Sequence, residues 1–311
     1  MMRNGIAAAL LAYCIWGFSP LYWRLLVDVP ADQLVMHRIV WSFVIVLAIV
    51  ALTGWQSFRE KALTWTNIKL HGTAAYFIGT NWALFVWAVN SGFVIQASLG
   101  NYILPLVTVL LGVAVLHEPL RPWQWFAIGL ASVGVLIVSI GYGVVPWISF
   151  ALSMTEGIYG LLKKKATLSS LEGVVLETGA LFVPAVSYLL WSNFEGVGAF
   201  GHGTTGRDWL LFGAGIMATS SLTSFGYAVK HIPLTLTGVL RYITPTIQVC
   251  LAVFVYHEPF STVNFVGFVL LWIALSIFTW QSYVKHREEM ARKTQVSLLA
   301  KTSVQTVYQS V

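Results

Sequence analysis

The chain repeats itself. Leu104-Pro105 and His117-Glu118-Pro119 return 140 positions later as Thr244-Pro245 and His257-Glu258-Pro259, and an ungapped comparison of residues 98–120 with 238–260 finds ten identities in 23 positions. The same offset matches Gly17 with Gly157, Asp32 with Glu172, Phe85 with Phe225 and Ala88 with Ala228. A duplicated unit restricts the fold to architectures that use one substructure twice.

Each copy is too apolar for a soluble domain. Hydrophobic residues make up 57% of the chain and charged residues 10%, against about 25% charged in soluble domains. A helix that crosses a hydrocarbon core of roughly 30 Å needs about 20 mostly apolar residues. Ten stretches qualify, near 4–26, 32–53, 69–89, 95–116, 121–141, 146–163, 172–192, 209–229, 234–256 and 261–283. The expected fold is therefore an all-α membrane protein, with five spans in residues 1–142, five in 143–283 and a polar cytoplasmic tail over 284–311. The tail has no apolar periodicity long enough to define a domain, and is expected to be mobile with a short helical continuation at most.

The first apolar run follows Arg3 but continues to Arg24, too long for a secretory signal, so it reads as a retained span. Cys14 and Cys250 fall inside spans at unrelated positions of the repeat and suggest neither a disulfide nor a metal site.

Basic residues set the orientation. With the N-terminus inside, the inner segments hold Arg3, Arg59, Lys61, Lys69, Arg121, Lys163, Lys164, Lys165, Lys230, Lys285, Arg287, Arg292, Lys293 and Lys301, against Arg207 alone outside. Both termini are thus expected in the cytoplasm. The net charge of +6 comes largely from these anchors, so nucleic acid is not an expected partner.

Five spans per copy is an odd number, so the second copy enters the bilayer upside down. Ten transmembrane helices then form two inverted five-helix repeats about a pseudo-two-fold axis in the membrane plane. Such halves can exchange shapes, which yields outward-open and inward-open states with a solute held between them. Duplication that merely builds a larger bundle is the plainer alternative.

Charged groups inside spans are the sharpest local signal, since each costs about 2.5 to 3.5 kcal/mol near the bilayer centre. Glu156 lies ten residues into the sixth span, about 15 Å deep at 1.5 Å per residue. It reads either as a cavity carboxylate that binds a cationic group or carries a coupling proton, or as a carboxylate neutralised for folding. Arg241 matches Asn101 of the first copy; both precede a tyrosine (Tyr242, Tyr102) and stand four before a proline. A proline inside a span permits a bend and frees a carbonyl. Asn101, Tyr102, Arg241 and Tyr242 are therefore cavity candidates, the alternative being that Arg241 pairs with Glu177 as a structural clamp. Arg24, and Arg38 with His37, read as interfacial anchors or gate residues that snorkel outward, outside the site.

Asn81 and Trp82 on the third span, Ser221 and Ser224 on the eighth and Gln248 one turn beyond Pro245 complete the polar set, although small hydroxyl residues more often serve close helix packing. Trp16 and Trp82 lie deep enough to wall a cavity for an aromatic or drug-like solute, or to pack. Trp55, Trp65, Trp123, Trp147, Trp191 and Trp209 stand at span ends, as interfacial belt residues do.

Other patterns fail on context. Gly201-His202-Gly203-Thr204-Thr205-Gly206 follows no strand, and Gly213-Ala214-Gly215 with Ala218 lies within a span, so neither is a dinucleotide site. His117-Glu118 and His257-Glu258 lack the second histidine of a metalloprotease helix; their prolines end helices, and the glutamates read as caps or interfacial partners. No phosphate-binding Gly-rich loop with Gly-Lys-Ser/Thr occurs, so energy is expected from an ion gradient or solute exchange. No cofactor and no metal are expected.

Trp16-Gly17-Phe18-Ser19-Pro20-Leu21-Tyr22, His37-Arg38-Ile39-Val40-Trp41-Ser42, Asn81-Trp82, Tyr159-Gly160-Leu161-Leu162-Lys163-Lys164 with Glu177, and Tyr242-Ile243-Thr244-Pro245-Thr246 resemble the RarD branch of the EamA group, in the drug/metabolite transporter superfamily. The resemblance covers residues 5 to about 283. It implies a ten-helix carrier in the bacterial inner membrane, two EamA-type repeats and a central cavity lined by the first, third, fourth, sixth, eighth and ninth helices. Tyr159 joins the site candidates on this resemblance.

The expectation is a secondary transporter, an exporter in the first instance, with an exchanger or importer of the same fold as the alternative. Its partners would be a small-molecule solute, the lipid bilayer and, as a candidate, a second copy in a homodimer. An intramembrane enzyme would need a nucleophile with its base, or a ligand cluster, at one depth, and the seven histidines are scattered. A receptor or scaffold would usually carry a sizeable soluble domain, whereas the loops between the expected spans are under twenty residues and the tail is short.

Overall fold

Long apolar runs separated by short polar turns leave the backbone one economical solution in lipid, which is to bond to itself as helix. The computed structural model describes residues 2–141, 146–257 and 262–309, and among these only helices, turns and bends occur. In chain order they are α1 (Met2–Trp23), a 3-10 turn (Arg24–Leu26), α2 (Ala31–Ala62), α3 (Trp65–Asn90), α4 (Val94–Leu116), α5 (Pro122–Gly141), α6 (Trp147–Lys165), α7 (Ser170–Phe194), α8 (Thr205–His231), α9 (Leu234–Leu240), α10 (Ile243–Phe254) and α11 (Thr262–Gln309). The join expected between the copies, and Glu258 and Pro259 of the second His-Glu-Pro, lie outside the described residues.

Seven described segments are long and apolar enough to cross a membrane: Met2–Leu26, Ala31–Ala62, Gln96–Leu116, Pro122–Gly141, Ser170–Phe194, Leu234–Phe254 and Phe265–Lys285. The chain is thus a multi-pass membrane protein. The other three expected spans coincide with α3, α6 and α8. Polar groups dilute their hydropathy: Asn67, Lys69, His71 and Asn81 on α3; Glu156 and Lys163, Lys164 and Lys165 on α6; Arg207, Asp208 and a run of hydroxyls on α8. The outer surface is apolar along the bundle, with Leu52, Ile140, Val183 and Phe254 mostly exposed, as a lipid-facing surface requires. All six span-end tryptophans are exposed.

Equivalent positions of the two copies adopt equivalent local structure. Thr64 caps α3 by accepting from the Asn67 N–H at 3.4 Å, and Thr204, 140 residues on, caps α8 by accepting from the Arg207 N–H at 3.3 Å. His117 and His257 both stand in the left-handed region, at φ 53° and 54°. That region is unfavourable for residues with a Cβ; His117 uses it as the C-cap of α4, and His257 adopts it three residues beyond the end of α10. Packing follows the same rule. α1 lies on α8 as α6 lies on α3, α1 lies on α10 as α6 lies on α4, and α2 with α7 and α5 with α11 join the copies.

Three elements depart from the expected outline. α2 runs past residue 53 to Ala62, bending at Gly54. The ninth span splits into α9 and α10. Pro245 has no N–H to give the Arg241 carbonyl, which accepts instead from the Thr244 N–H at 3.0 Å, so the chain tightens and turns at Arg241-Tyr242. Pro105, at the equivalent place, remains within a continuous α4. Finally, α11 continues through the polar tail to Gln309, well beyond a short continuation.

Candidate functional site

The helices carrying the most polar residues face one another around a cavity of about 360 Å³. α3 contributes Ile78, Asn81, Trp82, Phe85 and Val86, a stripe at helical spacing, and α2 contributes Ala31, Leu34, Val35 and Arg38 in the same way. Trp16, Ser19 and Trp23 come from α1, Asn101 from α4, Glu156 and Tyr159 from α6, Ala218, Ser221 and Leu222 from α8, and Arg241, Thr244 and Gln248 from the α9–α10 turn and α10. The lining extends toward the α1–α2 turn and away from the end of α6 that bears Lys163.

An ion pair between the Arg241 guanidinium and Glu156 stands at the centre, with the two side chains 9% and 19% exposed. Arg241 also lies 4.8 Å from the Trp16 ring centroid and 5.8 Å from that of Tyr13. The α9–α10 turn that presents Arg241 is tied to α1: the Tyr13 hydroxyl donates to the Thr237 carbonyl at 3.0 Å, Thr244 donates to the Tyr13 carbonyl at 3.1 Å, and Gln248 donates to the Trp16 carbonyl at 3.3 Å. Across the cavity, the Asn81 amide spans to α6 through the Leu152 carbonyl at 2.8 Å and Thr155 at 3.0 Å.

The clamp between Arg241 and Glu177 is not what forms. Glu177 accepts from Lys163 at 3.0 and 3.1 Å, from the Tyr159 hydroxyl at 2.9 Å, and lies 2.7 Å from His71 Nδ1. Lys163, His71 and Glu177 are almost completely buried. Their cluster joins α3, α6 and α7 below Tyr159, whose ring both lines the cavity and hands its hydroxyl to this cluster. Rotation about the helix axis decides the partner: Glu177 faces α6 and α3, whereas Arg241 faces α1 and α6.

Among the sequence candidates, Trp16, Asn81, Trp82, Asn101, Glu156, Tyr159, Ser221, Arg241 and Gln248 line the cavity. Tyr102, Ser224 and Tyr242 do not. Tyr102 and Tyr242 each follow a lining residue by one position, about 100° around a helix. They turn instead toward the α5–α11 layer, Tyr102 meeting the Phe268 ring edge-on at 5.2 Å and Tyr242 packing among Val107, Val239 and Leu271. Arg38, read from the sequence as an anchor outside the site, lines it, its guanidinium 4.3 Å from the Trp82 ring centroid. The signal was present as the stripe 31, 34, 35, 38, though nothing in the sequence says which face of α2 turns inward. Arg24 behaves as an outer residue, 4.9 Å from the Tyr256 ring centroid.

Of the hydroxyls in the lining, Ser19, Ser221 and Thr244 each donate to a backbone carbonyl, and Tyr159 donates to the Glu177 carboxylate. Among the described residues no group of three or more His, Cys, Asp or Glu side chains is placed to hold a metal ion.

Residues 3–140 match the model of the EamA-like transporter family. Protein RarD of Streptomyces exfoliatus is 40% identical over 93% of this chain and 92% of its own. The Uncharacterized transporter YojE of Bacillus subtilis is 39% identical over 89% of this chain and 94% of its own. One crystal structure, 17% identical, superposes with a TM-score of 0.69 over 90% of this chain and 98% of the other, which shows a shared fold.

Proposed function

Because the chain belongs to the RarD branch of the EamA-like transporter family, we propose that it is a secondary active transporter that exports a small organic solute from bacteria by alternating access. The reading is carried by one observation, a cavity walled by Trp16, Trp82 and Phe85 with a buried ion pair at its centre. Such a site offers apolar walls and a few convergent polar groups, as small-molecule sites do. Ten spans in an inverted five-plus-five arrangement are supported by the matched caps at Thr64 and Thr204, the matched backbone at His117 and His257, and the reciprocal packing of the copies; the excess of Lys and Arg in the inner segments supports both termini in the cytoplasm. In that orientation the cavity faces outward, and the Lys163–Glu177–His71 cluster beneath Tyr159 acts as the closed inner gate.

Glu156 is the coupling candidate. A proton on its carboxyl removes the charge that holds Arg241 and frees the guanidinium for solute; ionisation restores the pair. The unbiased test compares metabolites exported by cells making the protein with those from cells making Glu156→Gln, followed by proteoliposome flux of each hit under an imposed proton gradient. A hit moved by wild type and lost with Glu156→Gln is expected. Absence of any hit removes the transport reading, and unchanged flux and pH dependence in the variant removes the coupling role.

A further inference from the structure

We propose that the cavity takes an organic anion, an acid-bearing solute with a planar apolar body, and that Arg38 binds its acid group. The inference rests on the transport reading above for its physiology but on charge accounting for its chemistry. Three ionised groups face the cavity: Arg38 from α2, Glu156 from α6 and Arg241 from the α9–α10 turn; the lining of α1, α3, α4, α8 and α10 is neutral. Glu156 forms its ion pair with Arg241, and its charge is also felt at Arg38, so one carboxylate faces two guanidiniums. Arg38 forms no ion pair or hydrogen bond among the described residues, and its buried Nε has no acceptor. The cavity therefore carries one uncompensated positive charge.

A guanidinium stays protonated in proteins, so this charge cannot be relieved by losing a proton. Held against the Trp82 face at 4.3 Å, it is oriented and partly desolvated. An occupant that excludes water from the cavity must supply the missing acceptor, or the charge is left buried and unpaired. A carboxylate does so with paired hydrogen bonds, for which a planar guanidinium is shaped. A cation would have to displace Arg241 from Glu156 while facing Arg38, and a neutral solute would leave Arg38 uncompensated. The flat walls formed by Trp16, Trp82 and Phe85 suit a planar body in the volume of about 360 Å³.

The test uses three probes with one ring system and different charge: indole-3-acetate, indole-3-acetamide and tryptamine, each in equilibrium dialysis against the purified full chain at neutral pH. Indole-3-acetate is expected to bind about tenfold more tightly than the amide, with tryptamine weakest. Arg38→Gln should erase the preference for the acid, and Arg38→Lys should retain part of it; thermal unfolding reports whether each variant is folded, and the wild-type probe series decides the matter if Arg38→Gln is not. Equal binding of acid and amide, a preference for tryptamine, or binding of none of the three overturns the proposal. If the acid binds through Arg38 but no solute crosses proteoliposome membranes, the transport reading fails and the anion site stands; if solutes cross without charge preference, only the anion site fails.

Discussion

Arg241 and Glu156, 85 positions apart, form an ion pair inside the cavity, and this pair rather than one with Glu177 holds the α9–α10 turn against α6. Both side chains are largely withdrawn from solvent, so each is the other's main compensation.

Arg241→Gln is therefore expected to destabilise the protein by about 3 kcal/mol, the lower end of the range for breaking a buried pair because Glu156 borders the cavity. Adding Glu156→Gln should restore much of the loss, whereas adding Glu177→Gln should not. Thermal unfolding of the three purified variants measures this, and rescue by the Glu177 change would reinstate the clamp.

The gate role proposed for the Lys163–Glu177–His71 cluster makes a separate prediction. Glu177→Gln removes the charge opposite Lys163 and weakens the contact with His71, so the inner end of the bundle should open more often. In a background without Cys14 and Cys250, a cysteine replacing Ser221 should react several-fold faster with a membrane-impermeant maleimide applied to the cytoplasmic side of inside-out vesicles. An unchanged rate would argue that the cluster serves folding alone.

Close packing at repeat-related glycines is also testable. A Cβ on Gly17 would stand 2.8 Å from Ile247, and one on Gly157 would stand 3.0 Å from Val107, the residue equivalent to Ile247. Gly17→Val and Gly157→Val should each cost about 1 to 3 kcal/mol by overpacking. Gly72→Ala, on α3 with open space around it, should leave the unfolding temperature unchanged or raise it slightly.

Glu118 caps a helix of the other copy. Its carboxylate accepts from the Leu234 and Thr235 N–H groups at 2.7 and 2.8 Å, at the first turn of α9. Glu118→Ala should cost about 1 to 2 kcal/mol, as loss of an N-terminal cap does. Thermal unfolding again reads the effect, and a change below a few tenths would show that water replaces the carboxylate.

Much of the fold was legible before any coordinates. The helix positions follow from apolar length, but the split of the ninth span at Arg241-Tyr242 does not: Pro245 only permits a bend, and the equivalent Pro105 leaves α4 unbroken. Of the polar residues that weaken the hydropathy of α3, α6 and α8, Asn81, Glu156 and Ser221 line the cavity, whereas His71 and Lys163 meet at Glu177. Less legible was direction around a helix. Tyr102 and Tyr242 were chosen for standing beside Asn101 and Arg241, and one step of rotation carries them to the α5–α11 layer. Arg38 was set aside for its depth near the outer end, yet it shares a face with Ala31, Leu34 and Val35.

Local chemistry along the chain was enough to establish a duplicated, lipid-embedded, all-helical transporter of known family, because hydropathy, period and motif are properties of neighbouring residues. Which carboxylate meets which cation was settled only by three-dimensional packing. Glu156 and Glu177 both carry a negative charge within apolar helices, and composition alone treats them alike. The rotation and crossing of α6, α7 and the α9–α10 turn, set by glycine contacts and bonds such as Tyr13 to Thr237, direct one to Arg241 and the other to Lys163, and leave Arg38 stacked on Trp82 and facing the cavity with no ion pair or hydrogen bond among the described residues.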